Sequence, residues 1–243
     1  MSYESSRIRI LLLLALISPI LSIASASQAV FSVNETILVP VNLGLTSRDD
    51  DALYVQVVFD EVLQKVSDKV NMSFGYIKDI SPDDEQYGVR CSSDWLDCAG
   101  DVQQLCVHKY TSQQEWWNFI MCQNQEGKEE IGHLRAAQKC AIAAEIPWEI
   151  IRDCAGPDAD GINAEGAQLL LQNVEDTIKL GVGVSCTVSI NNKAVCVHDD
   201  SEWKMCKEGY TVPDFVRQIE TAWKKLNNIT TPKKPGKGKD EWE

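Results

Sequence analysis

Cysteine gives this chain its most distinctive chemistry. Nine are present, at Cys91, Cys98, Cys106, Cys122, Cys140, Cys154, Cys186, Cys196 and Cys206. A cysteine attacks as a thiolate, ligates a metal or pairs into a disulfide, and spacing and compartment decide among the three. Metal ligation fits poorly. No pair has the C-x2-C spacing of a zinc site, and the three histidines, His108, His133 and His198, are scattered. Cys106-x-His108 and Cys196-x-His198 read as chance neighbours. No metal and no cofactor is expected. An odd number leaves at least one thiol free or paired between chains, and spacing alone does not fix how the others connect.

The compartment follows from the first thirty residues. Arg7 and Arg9 form a basic start, Ile10 to Ile23 is almost purely apolar, and Ala24-Ser25-Ala26 offers small residues for a signal peptidase. The apolar run is shorter than the roughly 20 residues of a comfortable membrane span. Residues 1–26 are therefore expected to be a cleaved signal peptide, with no stable membrane insertion afterwards. Behind such a leader, cysteines are most simply read as disulfides. The net charge of −13 argues against nucleic acid, whose phosphates an acidic surface repels. It fits an extracellular, lysosomal or vacuolar protein. Three N-x-S/T sequons begin at Asn34, Asn71 and Asn228. They are glycosylation candidates, of which two are expected to be used.

Hydrophobic period supplies the frame. Thr36 to Leu45 reads as a buried strand in which Pro40 limits pairing. From Asp51 the apolar positions Val55, Val58, Phe59, Val62, Leu63 and Val66 follow helical spacing, behind three aspartates suited to a helix N-terminus. Val70 to Ile77 reads as a second strand. Helical stretches then run over Val102 to Tyr110, Gln114 to Cys122, Ile131 to Ala144, Trp148 to Cys154 and Gly166 to Leu180. Val184 to Ile190 and Ala194 to His198 flank an Asn191-Asn192 turn, and Val212-Pro213-Asp214 opens a last amphipathic helix. The order is βαβ, a helical block, then ββα. This predicts an α/β, thioredoxin-like fold over 27–230, with a disulfide-rich helical insertion at about 88–180 and a disordered tail at 231–243. Periodicity alone leaves other α/β topologies open.

Cys91-SSDWLD-Cys98-AGDVQQL-Cys106 keeps the six- and seven-residue spacings of a known signature, C-Q-H-G-x-x-E-C-x-x-N-x4-C. With Phe119 to Cys122, Cys140-Ala141, Trp148 to Cys154 and the Gly166, Leu169, Leu170, Asn173 helix, the sequence resembles the gamma-interferon-inducible lysosomal thiol reductase family. The resemblance runs over about Leu38 to Leu226. Ser92, Ser93 and Asp94 replace the Gln-His-Gly, Asp97 the Glu and Asp101 the Asn. It implies reduction of protein disulfides by a cysteine pair directly after the first strand, where a helix N-terminus lowers the thiol pKa and a second cysteine resolves the mixed disulfide. Here that window, Thr46 to Val55, contains no cysteine, and Asp49 falls at the first-cysteine position. A thioredoxin-like enzyme places a cis-proline before the facing strand; Cys186 stands about there.

The resemblance therefore implies a redox-impaired member of the family with protein or peptide partners and no retained catalytic cysteine. Two alternatives stay open: exchange through Cys186 or the Cys91/Cys98 pair, or a binding protein with static bridges. Cys186 is either bridged to Cys196 or another hairpin cysteine, the simpler expectation for a secreted chain, or free near the vacant position. The remaining cysteines, Cys91, Cys98, Cys106, Cys122, Cys140, Cys154, Cys196 and Cys206, are expected to be structural bridges. No G-x-S-x-G elbow or phosphate loop is present. Trp116, Trp117 and Phe119 read as core rather than a ligand platform. Asp158, Asp160 and Asn163 read as a solvated loop rather than a calcium site.

Overall fold

The computed structural model describes residues 36–229, except 84, 85, 93, 160, 162 and 163. The leader at 1–26, Asn34, Asp160, Asn163 and the tail at 231–243 lie outside the described residues.

Strand β1 (Val39–Leu45) pairs in parallel with β2 (Val70–Tyr76), in register from Val39 opposite Val70 to Leu45 opposite Tyr76. Helix α1 (Asp50–Val66) crosses between them. It buries Ala52, Val55, Phe59, Val62, Leu63 and Val66 on one stripe, the face that the helical spacing specified. Pro40 lies just outside the pairing with the strand on its other side, which begins at Val41 opposite Ile190, and its carbonyl accepts Asn191 N–H at 2.8 Å. After β2 come two short paired strands, β3 (Asp79–Ile80) and β4 (Val89–Arg90), which periodicity did not reveal at two residues each.

Five helices follow: α2 (Trp95–Tyr110), α3 (Gln113–Glu126), α4 (Leu134–Ala143), α5 (Trp148–Ala155) and α6 (Glu165–Lys179). Helix α2 starts seven residues earlier than the sequence spacing suggested, because the Asp94 side chain accepts Leu96 N–H and caps it there. The chain returns through β5 (Thr187–Ile190), β6 (Lys193–Asp199), β7 (Glu202–Lys204) and α7 (Val212–Leu226). Strand β7 was not anticipated. The Asn191-Asn192 turn has φ of 52° and 59°, the left-handed pair that a two-residue hairpin turn demands. The five-stranded sheet runs β2-β1-β5-β6-β7. This is the thioredoxin-like α/β arrangement, with helices α2–α6 entering between β2 and β5.

Bridges join that helical block. Cys106–Cys154 links α2 to α5, Cys122–Cys140 links α3 to α4, and Cys91–Cys98 closes the approach to α2; Cys196–Cys206 ties β6 to the loop after β7. The block also closes an open edge. The outward backbone of β2 meets side chains instead of water: Met72 N–H donates to Gln113 Oε1 at 2.7 Å, and a His108 ring nitrogen lies 3.1 Å from Met72 O. Asn173 accepts Tyr76 N–H at 2.8 Å and donates to Phe74 O at 2.9 Å. Unpaired strand edges recruit other chains, and these three residues satisfy this one internally. Trp116, Trp117 and Phe119 are at most 3 % exposed and form core, with Phe74 centred 4.8 Å from Trp116.

Asn173→Ala leaves a backbone donor and acceptor of β2 unpaired. The expected loss is about 1–3 kcal/mol in chemical denaturation, with no change in the disulfide pattern.

Candidate functional site

The window in which the resemblance places a cysteine pair lies where β1 turns into α1. Ser47 is fully buried and its hydroxyl donates to Asp97 O at 3.3 Å. Arg48 reaches Asp94 at 3.4 Å and Glu129 at 3.2 Å, so the turn is pinned to the helical block. Asp49 then caps α1. Its Oδ1 accepts Asp51 N–H at 3.1 Å, and its Oδ2 accepts the Ser185 hydroxyl at 3.0 Å. One carboxylate thus joins the helix N-terminus to the segment before β5. A C-x-x-C pair starting at Asp49 would end at Ala52, which is fully buried.

Cys186 lies beside this contact. The Ser185–Cys186 peptide is cis, and Ser185 Oγ is 3.2 Å from Cys186 Sγ. The backbone of Cys186 pairs with His198 in both directions, at 2.7 and 3.0 Å. The His198 Nδ1 lies 3.0 Å from Asp51 Oδ1, at ion-pair distance though outside hydrogen-bond alignment, and Asp51 also accepts Ser201 N–H at 3.2 Å. The simpler expectation for Cys186, a bridge to Cys196 or another hairpin cysteine, is corrected here. Cys196 stands opposite Val188 and pairs with Cys206, 4.3 Å away between Cα atoms, which leaves Cys186 as the free, buried thiol.

That thiol is poorly suited to exchange. Burial pushes its pKa up to about 12; the Ser185 hydroxyl opposes the rise, and Asp49, Asp51 and Asp199 add to it. The thiolate is the attacking species, so at acidic or neutral pH almost none is present. The other cysteine pair named from sequence, Cys91 and Cys98, is joined in a disulfide.

The sequence reading placed Asp49 and Cys186 near each other, and the structure links them through Ser185. It did not single out Ser185, and it took His198 as an incidental neighbour of Cys196. Strand alternation carried a signal for His198, since residues two apart share a face; its partner Cys186 needed the hairpin register. Among the described residues no helix is long and apolar enough to cross a membrane, and no three metal-ligating side chains converge. Asn71 is exposed on β2, and Asn228 is exposed after α7, with the Thr230 of its sequon outside the described residues.

Solved structures share this architecture. The MdbA protein of Corynebacterium diphtheriae, a thiol-disulfide oxidoreductase, superposes with a TM-score of 0.52 at 15 % identity, over 77 % of this chain and 86 % of its own. A candidate protein disulfide isomerase from Nitrosomonas europaea gives 0.51 at 11 % identity, over 80 % and 100 %. At such identities the likeness establishes the fold alone. No curated protein matches the sequence significantly. The sequence model of gamma interferon inducible lysosomal thiol reductase matches residues 44–144, a span that includes Asp49 and five of the bridged cysteines. On this fold, that match supports membership of the chain in the gamma interferon inducible lysosomal thiol reductase family.

Proposed function

We propose that this protein is a redox-silent member of its thiol reductase family, a glycoprotein of the secretory or lysosomal route that binds protein or peptide partners without exchanging disulfides. The observation that carries the reading is Asp49. It holds the helix N-terminus that a reactive thiolate would otherwise occupy, and Ser185 fills its second oxygen. An aspartate there keeps the favourable negative charge at the positive end of the dipole but is no nucleophile towards sulfur. A cleft supports the binding part of this reading. A cleft of about 520 Å³ lies beside the Val182–Gly183 segment, lined by Ile77, Ile80, Arg90 and Ile178. Such a mixed apolar and charged wall suits an extended polypeptide better than a compact polar metabolite.

A second reading has one observation in its favour. Cys98 closes the first turn of α2, where a helix N-terminus stabilises a thiolate, and its partner Cys91 is only partly buried. On that reading Cys91–Cys98 is an exchangeable disulfide, and Cys91→Ser abolishes whatever reduction is measured.

Reduction of insulin by the mature protein with a thiol donor at pH 5 separates the two. The expected rate equals that of the donor alone; turnover that disappears in Cys91→Ser would establish the second reading. Asp49→Cys combined with Ala52→Cys is expected to create a dithiol that reduces insulin above the donor rate, because the helix N-terminus is already in place. Asp49→Ala is expected to cost about 1 kcal/mol in denaturant unfolding through loss of the cap, with insulin reduction still at the donor rate.

A further inference from the structure

Beneath the Ser47 turn lies a charged cluster of buried side chains. The Lys78 Nζ is 2.5 Å from Asp97 Oδ2 and 2.9 Å from Asp101 Oδ2, and none of the three side chains exceeds 1 % exposure. Asp97 is further satisfied by Ser92 N–H at 2.8 Å. Asp101 is not: neither of its oxygens has an aligned hydrogen-bond partner among the described residues, and Asp97 Oδ1 also lacks one. Two carboxyls therefore share a single buried ammonium. Full ionisation would leave one negative charge uncompensated, which is costly for buried groups.

The groups facing Asp101 come from every element around it. Lys78 follows β2, Tyr76 ends β2, Ser47 precedes α1, and Asp97 lies one turn away on α2. The Tyr76 hydroxyl donates to Gln104 Oε1 at 2.6 Å; burial raises its pKa well above the ordinary value, with Asp101 and Asp97 adding to the rise, so it stays neutral. Burial would lower the Lys78 ammonium, but Asp101 and Asp97 outweigh it and hold it above its ordinary value. Arg48, the nearest other cation on the turn, is engaged by Asp94 and Glu129 instead. Close packing leaves no room for slack. A methyl added at Gly100 would stand 2.6 Å from Ile131 and 3.2 Å from Ser47 Oγ.

We propose that Lys78, Asp97 and Asp101 form a pH-sensitive latch that holds the Ser47 turn and the Cys91–Cys98 segment against the sheet in acid and slackens as the second carboxyl ionises. The proton bridges the deficit directly. A protonated Asp101 is neutral, so one proton removes the excess charge and leaves the Lys78 ammonium balanced by Asp97 alone. The latch joins the turn that carries Asp49 to the cleft wall, because Lys78 and Ser92 both line that cleft. It does not depend on whether the chain exchanges disulfides.

The sign of the effect follows from the proton. Burial raises the Asp101 carboxyl to about 7, with Lys78 opposing and Asp97 adding, while an unfolded aspartate titrates near 4. Between those values the folded state holds a proton that the unfolded chain does not. Stability therefore falls as pH rises through this window, by on the order of 10-fold or more in the folding constant from pH 5 to pH 7. Asp101→Asn leaves one carboxylate for one ammonium and is expected to flatten this dependence. Amide deuterium exchange gives the local reading. At pH 7.5, residues 46–50 and 91–98 should exchange faster in the parent than in Asp101→Asn; at pH 5 the two should agree. Equal exchange at both pH values, with parallel stability profiles, would overturn the latch. Should the variant not fold, carboxyl carbon NMR of the parent decides instead. A titration of Asp101 close to neutrality supports the latch, and one below pH 5 refutes it.

Discussion

A helix that begins at the end of a buried strand has N–H groups aimed at the loop before it, and something negative must meet them. In this chain that group is the Asp49 carboxylate. It accepts Asp51 N–H with one oxygen and the Ser185 hydroxyl with the other. The first contact sets where α1 starts, and with it which apolar stripe faces the sheet. The second fixes the segment that leads into β5, and so the place of Cys186. The helix dipole makes the same spot ideal for a thiolate in a disulfide-exchanging protein. The same electrostatics serves a thiolate or the Asp49 carboxylate; only the thiolate has a sulfur to exchange.

The helical block does structural work of its own. Two bridges join its helices, at sequence separations of 48 and 18, and a third, at a separation of 7, ties Cys91 to the first turn of α2. Cross-links of this kind restrict the unfolded chain and so favour the folded one. The block also supplies Gln113, His108 and Asn173 to the outer edge of β2, which turns a reactive sheet edge into a satisfied one. At the other edge β7 is only three residues long and carries Lys204, a short charged strand that discourages pairing.

Much of this frame was legible in the residues. Helical spacing from Val55 to Val66 fixed α1, Asn191-Asn192 fixed a hairpin turn, and the Cys91, Cys98, Cys106 spacing pointed to the family. What escaped the sequence was short or non-local. Strands β3, β4 and β7 have two or three residues each, too few for a period to register. The free state of Cys186 depended on where the chain after β7 brings Cys206. The latch needed Lys78 to meet Asp97 and Asp101 from another element, although the sequence did mark both acids as departures from the family pattern.

The central claim is that no thiol of the native protein takes part in exchange. Equilibration of the protein in glutathione buffers of graded potential, followed by alkylation and intact-mass measurement, tests it most directly. The account predicts no alkylated thiol in the native protein across the range from about −150 to about −300 mV, and a single one, Cys186, after unfolding without reductant. A pair of thiols that appears and disappears with potential while the protein remains folded would contradict it.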